Sequence, residues 1–484
     1  DEWAASGRKN IFGNTVQVVE MQSEAGAAAA VHGSLQAGAL TTTFTSSQGL
    51  LLMLPNLYKV AGELLPGVFQ VAARALAAHA LAIFGDHQDV MAARAAGCAM
   101  LAESSVQEVM DLSAVAHLTA IKTRVPFINF FDGFRTSHEI QKIQIWDYEE
   151  LKPLVDMEAV QAFRKNALNP DAPVTRGTAE NPDVYFQHRE ASNKFYLNVP
   201  DVVEHYMNEI NKLAGTNYQL FNYVGAPDAT DVIVTMGSSA QVVESTVNYL
   251  NKLGRKVGFI NVHLFRPFAT DRLLKALPQT VERIAVLDRT KEPGALAEPL
   301  FLDVQAAVVD GGRNVKVIAG RYGLSSKDVI PADIVAVFDN LAAENGKKFF
   351  TLGINDDVTF LSLDRAEGVE VETPGLTECK FWGFGSDGTV GANKSAIKII
   401  GDHTDLYAQA YFDYDSKKSG GVTMSHLRFG TNPINLPYLI TEPQFVACHR
   451  QSYVHEYDLL RGIKKGGTFL LNCTWSPEEL DEHL

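Results

Sequence analysis

The chain has 484 residues, of which 46% are hydrophobic and 20% charged, and its net charge is −15 at pH 7. This length is too great for one ordinary hydrophobic core, so we expect about three globular domains. The acidic balance argues against a nucleic acid partner, because phosphate backbones carry charge of the same sign.

The cysteines and the apolar runs exclude further classes. The four cysteines are widely spaced without a CxxC pair, which argues against an iron–sulfur or zinc site formed by this chain. Their scarcity is typical of a reducing, cytoplasmic setting. No apolar run reaches the ~18 residues that a transmembrane helix needs, so we expect no membrane association.

The first region, residues 1–215, alternates strand-like and helix-like segments. Strands are predicted at residues 15–21, 40–45, 68–73 and 126–131, and a helix is predicted at residues 23–36. This alternation predicts a parallel sheet with helices on both faces. Residues 150–200 are richer in proline, asparagine and charge, and we interpret them as an excursion or arm.

Two further regions follow the same pattern. In residues 216–365, strands are predicted at 231–236, 257–262, 283–287 and 315–319, and helices at 239–253 and 296–309. After an acidic break near residues 364–375, a third region at 376–484 opens with a strand near residues 380–383. Ser476 and Pro477 are typical of a helix start, so we expect the chain to stop inside a domain and to be part of something longer.

Polar residues follow the predicted strands of the first region. Ligands of open parallel sheets bind beyond the carboxyl ends of the strands, so we expect four polar clusters to converge into one candidate site. The clusters are Glu24; Thr45, Ser46 and Ser47; Arg74; and Asp132, Arg135, Thr136, Ser137 and His138.

Two of these residues have competing interpretations. Glu24 is either a carboxylate in the first turn of a helix, where the helix dipole stabilises it, or a partner for a heterocyclic cofactor. Arg74 lies among small apolar residues and needs an anionic partner, which is either a carboxylate ligand or an internal carboxylate. The pattern favours the helix-start interpretation for Glu24 and does not decide for Arg74.

The histidines are interpreted as structural. His87 lies between Asp86 and Asp89 in FGDHQD, but this spacing fits no strong zinc motif, so we expect a turn with local hydrogen bonds. His79 and His117 fall on apolar faces and are interpreted as core histidines with satisfied hydrogen bonds.

The third region carries a GxGxxG pattern at residues 383–388, before a helix predicted to begin near Ala392. The pattern alone is weak, and no acidic residue after a second strand completes a dinucleotide site. What the pattern does predict is an anion-binding site made of backbone N–H groups at the start of a helix. Lys417 and Lys418 either add positive charge to this site or form a solvated pair.

Several segments, in order along the chain, resemble the pyruvate:ferredoxin (or flavodoxin) oxidoreductases. EMQSEAGAAAAVHG, TTTFTSSQGLLLM, FGDHQD and FFDGFRTSHEIQK resemble consecutive blocks of the family's first domain. LDRTKEPGA resembles the second domain, and GSDGTVGANK and YDSKKSGG resemble the start of the third. The whole chain is thereby identified as an amino-terminal portion of such an enzyme.

The resemblance implies an α/β fold and a reaction. It implies a thiamine-diphosphate-binding-type parallel sheet domain at residues 1–215 and a transketolase C-terminal-like α/β domain at residues 216–365. The truncated start of a third α/β domain, associated with coenzyme A, is implied at residues 376–484. The implied reaction converts pyruvate to acetyl-CoA and CO2, with electrons passing to ferredoxin or flavodoxin, in a cytoplasmic homodimer.

The resemblance also assigns roles to residues. Glu24 hydrogen-bonds the aminopyrimidine ring of thiamine diphosphate and favours its imino tautomer, a task that suits a buried carboxylate. Arg74 holds the carboxylate of pyruvate. The GSDGT loop and one lysine of the KK pair, taken as Lys418, contribute to coenzyme A binding. The loop residues are Gly385, Ser386, Asp387, Gly388 and Thr389.

Other parts of the family's sequence lie outside this chain. Magnesium and [4Fe-4S] clusters are expected in the full enzyme but are not bound by this chain. Three alternatives stay open at this point: a related 2-oxoacid as substrate, a form fused to an NADP-reducing module, and a non-catalytic fragment or assembly element.

Overall fold

The computed structural model describes residues 2–371, 373–414 and 420–483. The chain divides into two compact units. The first contains residues 1–133 and 144–366, and the second contains residues 134–143 and 367–484. The division into three domains remains a prediction.

The first unit contains two sheets, and its buried apolar residues lie on their strands and on the helices that cover them. The strands are β1 (Thr42–Thr45), β2 (Val68–Ala73), β3 (Ala99–Glu103), β4 (Phe127–Asp132), β6 (Phe221–Gly225), β7 (Asp231–Thr235), β8 (Val257–Val262), β9 (Leu264–Arg266), β10 (Arg283–Asp288), β11 (Lys316–Arg321) and β12 (Phe349–Thr351).

Helices connect and cover these strands. They are α1 (Glu2–Ala5), α2 (Glu24–Gln36), α3 (Gln48–Gly62), α4 (Gln88–Ala93), α5 (Val106–Thr123), α6 (Tyr148–Leu151), α7 (Met157–Lys165), α8 (Pro182–Ala191), α9 (Asn193–Leu197), α10 (Val199–Ala214), α11 (Ser239–Lys252), α12 (Thr270–Ala276), α13 (Pro299–Asp310) and α14 (Pro331–Ala342), with 3₁₀ turns at Lys152–Leu154 and Leu324–Ser326.

The first sheet has the order β1-β2-β4-β3-β9. Strands β1 to β4 are mutually parallel, as predicted, and each connection between them contains a helix. β4 (FINFFD) is buried at five of its six positions, which is typical of a parallel strand covered on both faces. β9 comes from far along the chain and pairs antiparallel with β3.

The second sheet has the order β12-β11-β10-β7-β8-β6. It is parallel except for β6, which pairs antiparallel with β8. The predicted strands at 231–236, 257–262, 283–287 and 315–319 match β7, β8, β10 and β11 within two residues. The expected α/β fold class is confirmed.

The predicted strand at residues 15–21 is wrong. Among the described residues, the segment forms no ladder with another strand, and only an isolated bridge joins Thr15 to Lys9. Val16, Val18 and Val19 are exposed. A β-branched sequence favours extended backbone, but a strand also needs a partner for its hydrogen bonds and a surface for its side chains.

The excursion predicted at residues 150–200 is partly confirmed. Residues 168–191 are exposed throughout, and α8 has no buried residue. The flanking helices nevertheless belong to the core, because α7 buries Val160 and Phe163 and α10 packs along α5.

The second unit is built on one mixed sheet. Its strands and helices are β5 (Ile140–Gln141), β13 (Leu376–Phe384), β14 (Tyr407–Tyr414), β15 (Val422–Gly430), β16 (Phe445–Cys448), β17 (Thr468–Leu471), α15 (Thr389–His403), α16 (Tyr453–Glu456) and α17 (Pro477–His483), with a 3₁₀ turn at Thr136–His138. The strand order is β17-β16-β13-β15-β14-β5. β13 is parallel to β16, while β15 lies antiparallel between β13 and β14.

The predicted helix start at Ser476 is confirmed. The Ser476 hydroxyl accepts the backbone N–H of Glu479 at 3.2 Å, and the Glu479 carboxylate accepts the N–H of Ser476 at 2.8 Å. This reciprocal pair is a capping box.

Candidate functional site

Arg74 lies at the carboxyl end of the first sheet, directly after β2. Its Nε donates to the carbonyl oxygen of Ile83 at 2.5 Å, and its Nη1 lies 3.4 Å from the hydroxyl of Ser46, which follows β1. Burial lowers the pKa of Arg74, and the nearby charge of Asp89 opposes this shift. These polar contacts bring two of the predicted clusters, Arg74 and Ser46, together at one edge.

Glu24 occupies the first turn of α2, where Ser23 caps the helix by accepting the N–H of Gly26 at 3.3 Å. Its carboxylate is exposed in this chain, which corrects the expectation of a buried one. Among the residues that the structure describes, it has no hydrogen-bond or ion-pair partner. An internal ion pair therefore does not account for Glu24.

Gly49 makes room for Glu24 beside β1. A Cβ atom at Gly49 would lie 2.8 Å from Cγ of Glu24 and 2.7 Å from Oγ1 of Thr45. Oγ1 of Thr45 is itself buried and has no hydrogen-bond partner in the described chain. The edge thus combines an exposed carboxylate, a partnerless hydroxyl and a position where only glycine fits.

Asp89 links the ends of β1 and β2. It is fully buried, and its Oδ2 accepts the backbone N–H of Ser47 at 2.7 Å and that of Arg74 at 3.0 Å. Burial raises the pKa of Asp89 to about 8, although three backbone N–H donors act in the opposite direction. The FGDHQD pattern predicts only a local turn at Asp89 and carries no signal for this long-range role.

Asp132, another member of the predicted clusters, is committed to a buried network. Its Oδ1 lies 2.5 Å from Nε2 of His87, and its Oδ2 accepts the N–H of Ser238 at 3.0 Å. Arg289 also contacts this carboxylate. Burial alone would raise the pKa of Asp132, but Arg289 and His87 hold it well below its usual range.

The histidine interpretations need correction. His87 is not confined to a local turn, because its ring joins Asp132, 45 residues away. His79 is exposed rather than part of the core. His117 is half-buried, and burial lowers its pKa to about 4, but no hydrogen bond from a described residue satisfies it.

The remaining members of the predicted clusters, Arg135, Thr136, Ser137 and His138, belong to the second compact unit. There the guanidinium of Arg135 lies 4.3 Å from the ring centre of Tyr411. Glu24, the residues after β1 and Arg74 therefore lie together at the edge of the first sheet, while Asp132 belongs to the buried network.

The GxGxxG segment forms the turn between β13 and α15. A Cβ atom at Gly383 would lie 2.6 Å from Cβ of Thr389, so glycine permits the close approach of strand and helix. Helix α15 begins at Thr389, three residues earlier than predicted, because Asp387 accepts the N–H groups of Phe384 and Thr389, each at 2.8 Å.

Part of this predicted anion site is already occupied by the chain itself. The carboxylate of Asp387 takes the first N–H of α15, and Oγ1 of Thr389 lies 2.8 Å from Nδ1 of His449. Lys417 and Lys418 lie outside the described residues.

The described residues lack two kinds of feature. Within residues 2–371, 373–414 and 420–483, no group of three or more histidine, cysteine, aspartate or glutamate side chains is arranged to hold a metal ion. No helix of the described chain combines the length and apolarity needed to cross a membrane.

Three family models match consecutive parts of the chain. Residues 1–208 match pyruvate flavodoxin/ferredoxin oxidoreductase, thiamine diphosphate-binding. Residues 229–334 match pyruvate:ferredoxin oxidoreductase core domain II, and residues 378–483 match pyruvate ferredoxin/flavodoxin oxidoreductase.

Relatives match over the whole chain. A pyruvate-flavodoxin oxidoreductase of Enterobacter agglomerans is 65% identical, and a pyruvate:ferredoxin oxidoreductase of Moorella thermoacetica is 64% identical. Each alignment covers 100% of this chain and 41% of the relative. A mitochondrial pyruvate dehydrogenase [NADP(+)] of Euglena gracilis is 53% identical, and the chain covers 27% of it.

Among solved structures, a 2-oxoglutarate:ferredoxin oxidoreductase from Magnetococcus marinus is similar with a TM-score of 0.46 and 16% identity, over 68% of this chain and 57% of that one. The chain spans about two fifths of the length of its 64–65% identical relatives. On the three family models and these full-chain identities, the chain belongs to the pyruvate flavodoxin/ferredoxin oxidoreductase family.

Proposed function

We propose that the full-length protein containing this chain oxidatively decarboxylates pyruvate to acetyl-CoA and CO2 and passes the electrons to ferredoxin or flavodoxin. The observation that carries the proposal is that Glu24, beside Thr45, and Arg74, beside Ser46, lie at one edge of the first sheet, within the region that matches the thiamine diphosphate-binding model. A carboxylate and a guanidinium at this edge suit a heterocyclic cofactor and an anionic substrate, respectively.

Arg74 is proposed to hold the carboxylate of pyruvate. Its Nε contact with the Ile83 carbonyl and its Nη1 contact with Ser46 fix the plane of the guanidinium. A guanidinium fixed in this way can grip a carboxylate with two parallel hydrogen bonds, which a lysine cannot do. The partial burial of Arg74 strengthens such a contact, because water competes less for the charge.

Glu24 is proposed to accept a hydrogen bond from the aminopyrimidine ring of thiamine diphosphate. When bound, the cofactor supplies the carbanion chemistry that breaks the bond between the carboxylate and the carbonyl carbon of pyruvate. The residues present fit it, because the Glu24 carboxylate and the buried Oγ1 of Thr45 both have no partner in the described chain. The remaining walls of the pocket would have to bury Glu24.

The other parts of the proposal concern the whole enzyme. Coenzyme A is proposed to contact residues 385–389 and Lys418, using donors other than the N–H of Thr389, which Asp387 already takes. Magnesium, [4Fe-4S] clusters, a homodimer and a cytoplasmic location are proposed for the full-length protein. A three-domain division at residues 1–215, 216–365 and 376–484 is proposed for this chain.

The names and identities of the relatives bear on the alternatives. Relatives with 64–65% identity are named pyruvate-flavodoxin or pyruvate:ferredoxin oxidoreductases, whereas the NADP-linked relative from Euglena gracilis is 53% identical. These identities favour the ferredoxin or flavodoxin form over an NADP-reducing fusion, a different 2-oxoacid or a non-catalytic element.

The test uses the full-length protein in an anaerobic assay of dye reduction that depends on pyruvate and coenzyme A. Losing a desolvated charge-paired hydrogen bond costs about 2–5 kcal/mol, or roughly 30- to 4,000-fold in affinity. Arg74→Ala should therefore raise the KM for pyruvate at least about tenfold and leave thiamine diphosphate binding nearly unchanged. Arg74→Lys should restore little of the affinity for pyruvate, because a lysine lacks the two parallel N–H donors of the guanidinium.

Arg94→Ala is the matched control, because this half-buried arginine pairs with Glu292 at 2.9 Å. It should leave the KM for pyruvate near the wild-type value. A normal KM in Arg74→Ala, with a lowered melting temperature, would show that Arg74 is structural.

A further inference from the structure

We propose that Asp89 is the positioning residue for the substrate arginine: it fixes the backbone at Ser47 and Arg74, and thereby the direction of the Arg74 guanidinium. This inference rests on the proposed role of Arg74 in binding the 2-oxoacid carboxylate.

The geometry of Asp89 is that of an anchor for two strand ends. A single oxygen, Oδ2, accepts the N–H of Ser47 at 2.7 Å and the N–H of Arg74 at 3.0 Å. The other oxygen, Oδ1, accepts the N–H of Val90 at 2.7 Å in the first turn of α4. Asp89 is fully buried, so water cannot replace these contacts.

The backbone at Ser47 needs such an anchor. Its φ of +55° and ψ of −133° lie outside the regions that side-chain-bearing residues normally adopt, which is a strained conformation. Besides the Asp89 contact, the Ser47 hydroxyl donates to the carbonyl oxygen of Ala75 at 2.6 Å. Two hydrogen bonds from Ser47 therefore hold the end of β1 against the end of β2.

The stem of Arg74 has little freedom to adjust. A Cβ atom added to Gly133 would lie 2.6 Å from Cγ of Arg74 and 2.6 Å from the carbonyl oxygen of Ala73. The side chain thus passes directly over the backbone at the end of β4. A shift of the Arg74 backbone would therefore move the guanidinium rather than be absorbed by the stem.

Asp86 offers a matched control in the same motif. It is also fully buried, and its carboxylate accepts the N–H of Gln88 at 2.9 Å and that of Ser325 at 3.1 Å. These contacts tie the turn before α4 to the loop after β11 and do not involve Ser47 or Arg74. Replacing either carboxylate removes one buried acceptor group, but only Asp89 contacts the backbone of Arg74.

The experiment compares Asp89→Asn with Asp86→Asn in the full-length protein. Both oxygens of Asp89 accept backbone N–H groups, whereas the amide of Asn can accept only through its oxygen. In Asp89→Asn the NH2 group therefore faces a backbone N–H, and this repulsion displaces the side chain from its anchoring position. Because small misplacements of a binding group cost up to about 100-fold, Asp89→Asn should raise the KM for pyruvate at least about tenfold. Its kcat should stay within about threefold, and Asp86→Asn should lower the melting temperature with a KM within about twofold of wild type.

A double-mutant cycle separates positioning from general damage. If Asp89 acts through Arg74, adding Asp89→Asn to Arg74→Ala should change the KM by less than about twofold. Independent, multiplicative effects on KM would overturn the inference. Where Asp89→Asn does not fold, Asp89→Glu keeps the carboxyl group but moves its oxygens by one methylene group, and a wild-type KM in that variant would overturn the inference equally.

The two proposals fail in different ways. A normal KM in Arg74→Ala removes the proposed function of Arg74 and this inference with it. A raised KM in Arg74→Ala together with a normal KM in Asp89→Asn refutes only the role of Asp89.

Discussion

The buried ion pair between Asp132 and Arg289 joins the ends of β4 and β10, one strand from each sheet of the first unit. Both side chains are almost completely buried, and the Asp132 carboxylate also binds His87 and Ser238. Arg289→Met keeps most of the side-chain volume but removes the cation. The substitution would leave a fully buried carboxylate without its main opposite charge.

The expected loss follows from this burial. Removing one partner of a buried pair typically costs about 3–5 kcal/mol, because the other charge remains desolvated and uncompensated. For domains of 150–250 residues, 1 kcal/mol corresponds to about 2–4 °C in melting temperature, and larger units respond less. We therefore expect Arg289→Met to lower the melting temperature of the first unit by about 5–10 °C.

Differential scanning calorimetry of the purified protein measures this loss. Asp228→Asn, which breaks an exposed pair with Lys256, is the control and should shift the transition by less than about 2 °C. The double variant Asp132→Asn/Arg289→Met removes both charges and should be more stable than Arg289→Met alone. A double variant that is less stable, or an unchanged melting temperature in Arg289→Met, would refute the reasoning.

Three further outcomes are expected. Glu24→Gln should retain thiamine diphosphate but slow proton exchange at the thiazolium carbon, measured by NMR, and an unchanged rate would leave Glu24 as a helix-start carboxylate. Lys418→Ala should raise the concentration of coenzyme A required for turnover without weakening pyruvate binding, and an unchanged requirement would remove Lys418 from the proposed site. Burial opposes charge on His263 and on Glu108, but their mutual attraction prevails, raising the pKa of His263 and lowering that of Glu108. The difference in melting temperature between wild type and His263→Gln should therefore be largest near about pH 6 and decrease as the pH rises through the folded-state pKa of His263. A difference that increases with pH would contradict this prediction.

The strands that the sequence predicted well are those with a continuous apolar run. β2 and β8 have the predicted bounds, because each is buried on both faces and its composition alone marks it. The segment at residues 15–21 has a similar composition but pairs with no strand in the described chain. Composition therefore could not predict whether a partner strand was present.

The edge of the first sheet was predictable because parallel strands place their carboxyl ends together, and Arg74 and Ser46 meet there. The anchoring role of Asp89 could not be predicted, because its contact with Ser47 spans 42 residues and leaves no local pattern in the sequence. Gly49 and Gly133 were missed for a related reason. Their importance comes from side chains that approach from other elements, and the sequence around each glycine carries no sign of this.

The late arrival of β9 in the first sheet has a consequence for synthesis on the ribosome. β3 ends at Glu103, but β9, which covers its outer edge, ends at Arg266. At about 5–20 residues per second, the roughly 160 intervening residues take some 10–30 s to emerge. During that interval the apolar edge of β3 has open hydrogen-bonding groups and can pair with other nascent chains. Efficient production of this protein should therefore depend on chaperones that protect the growing chain until residue 266 is available.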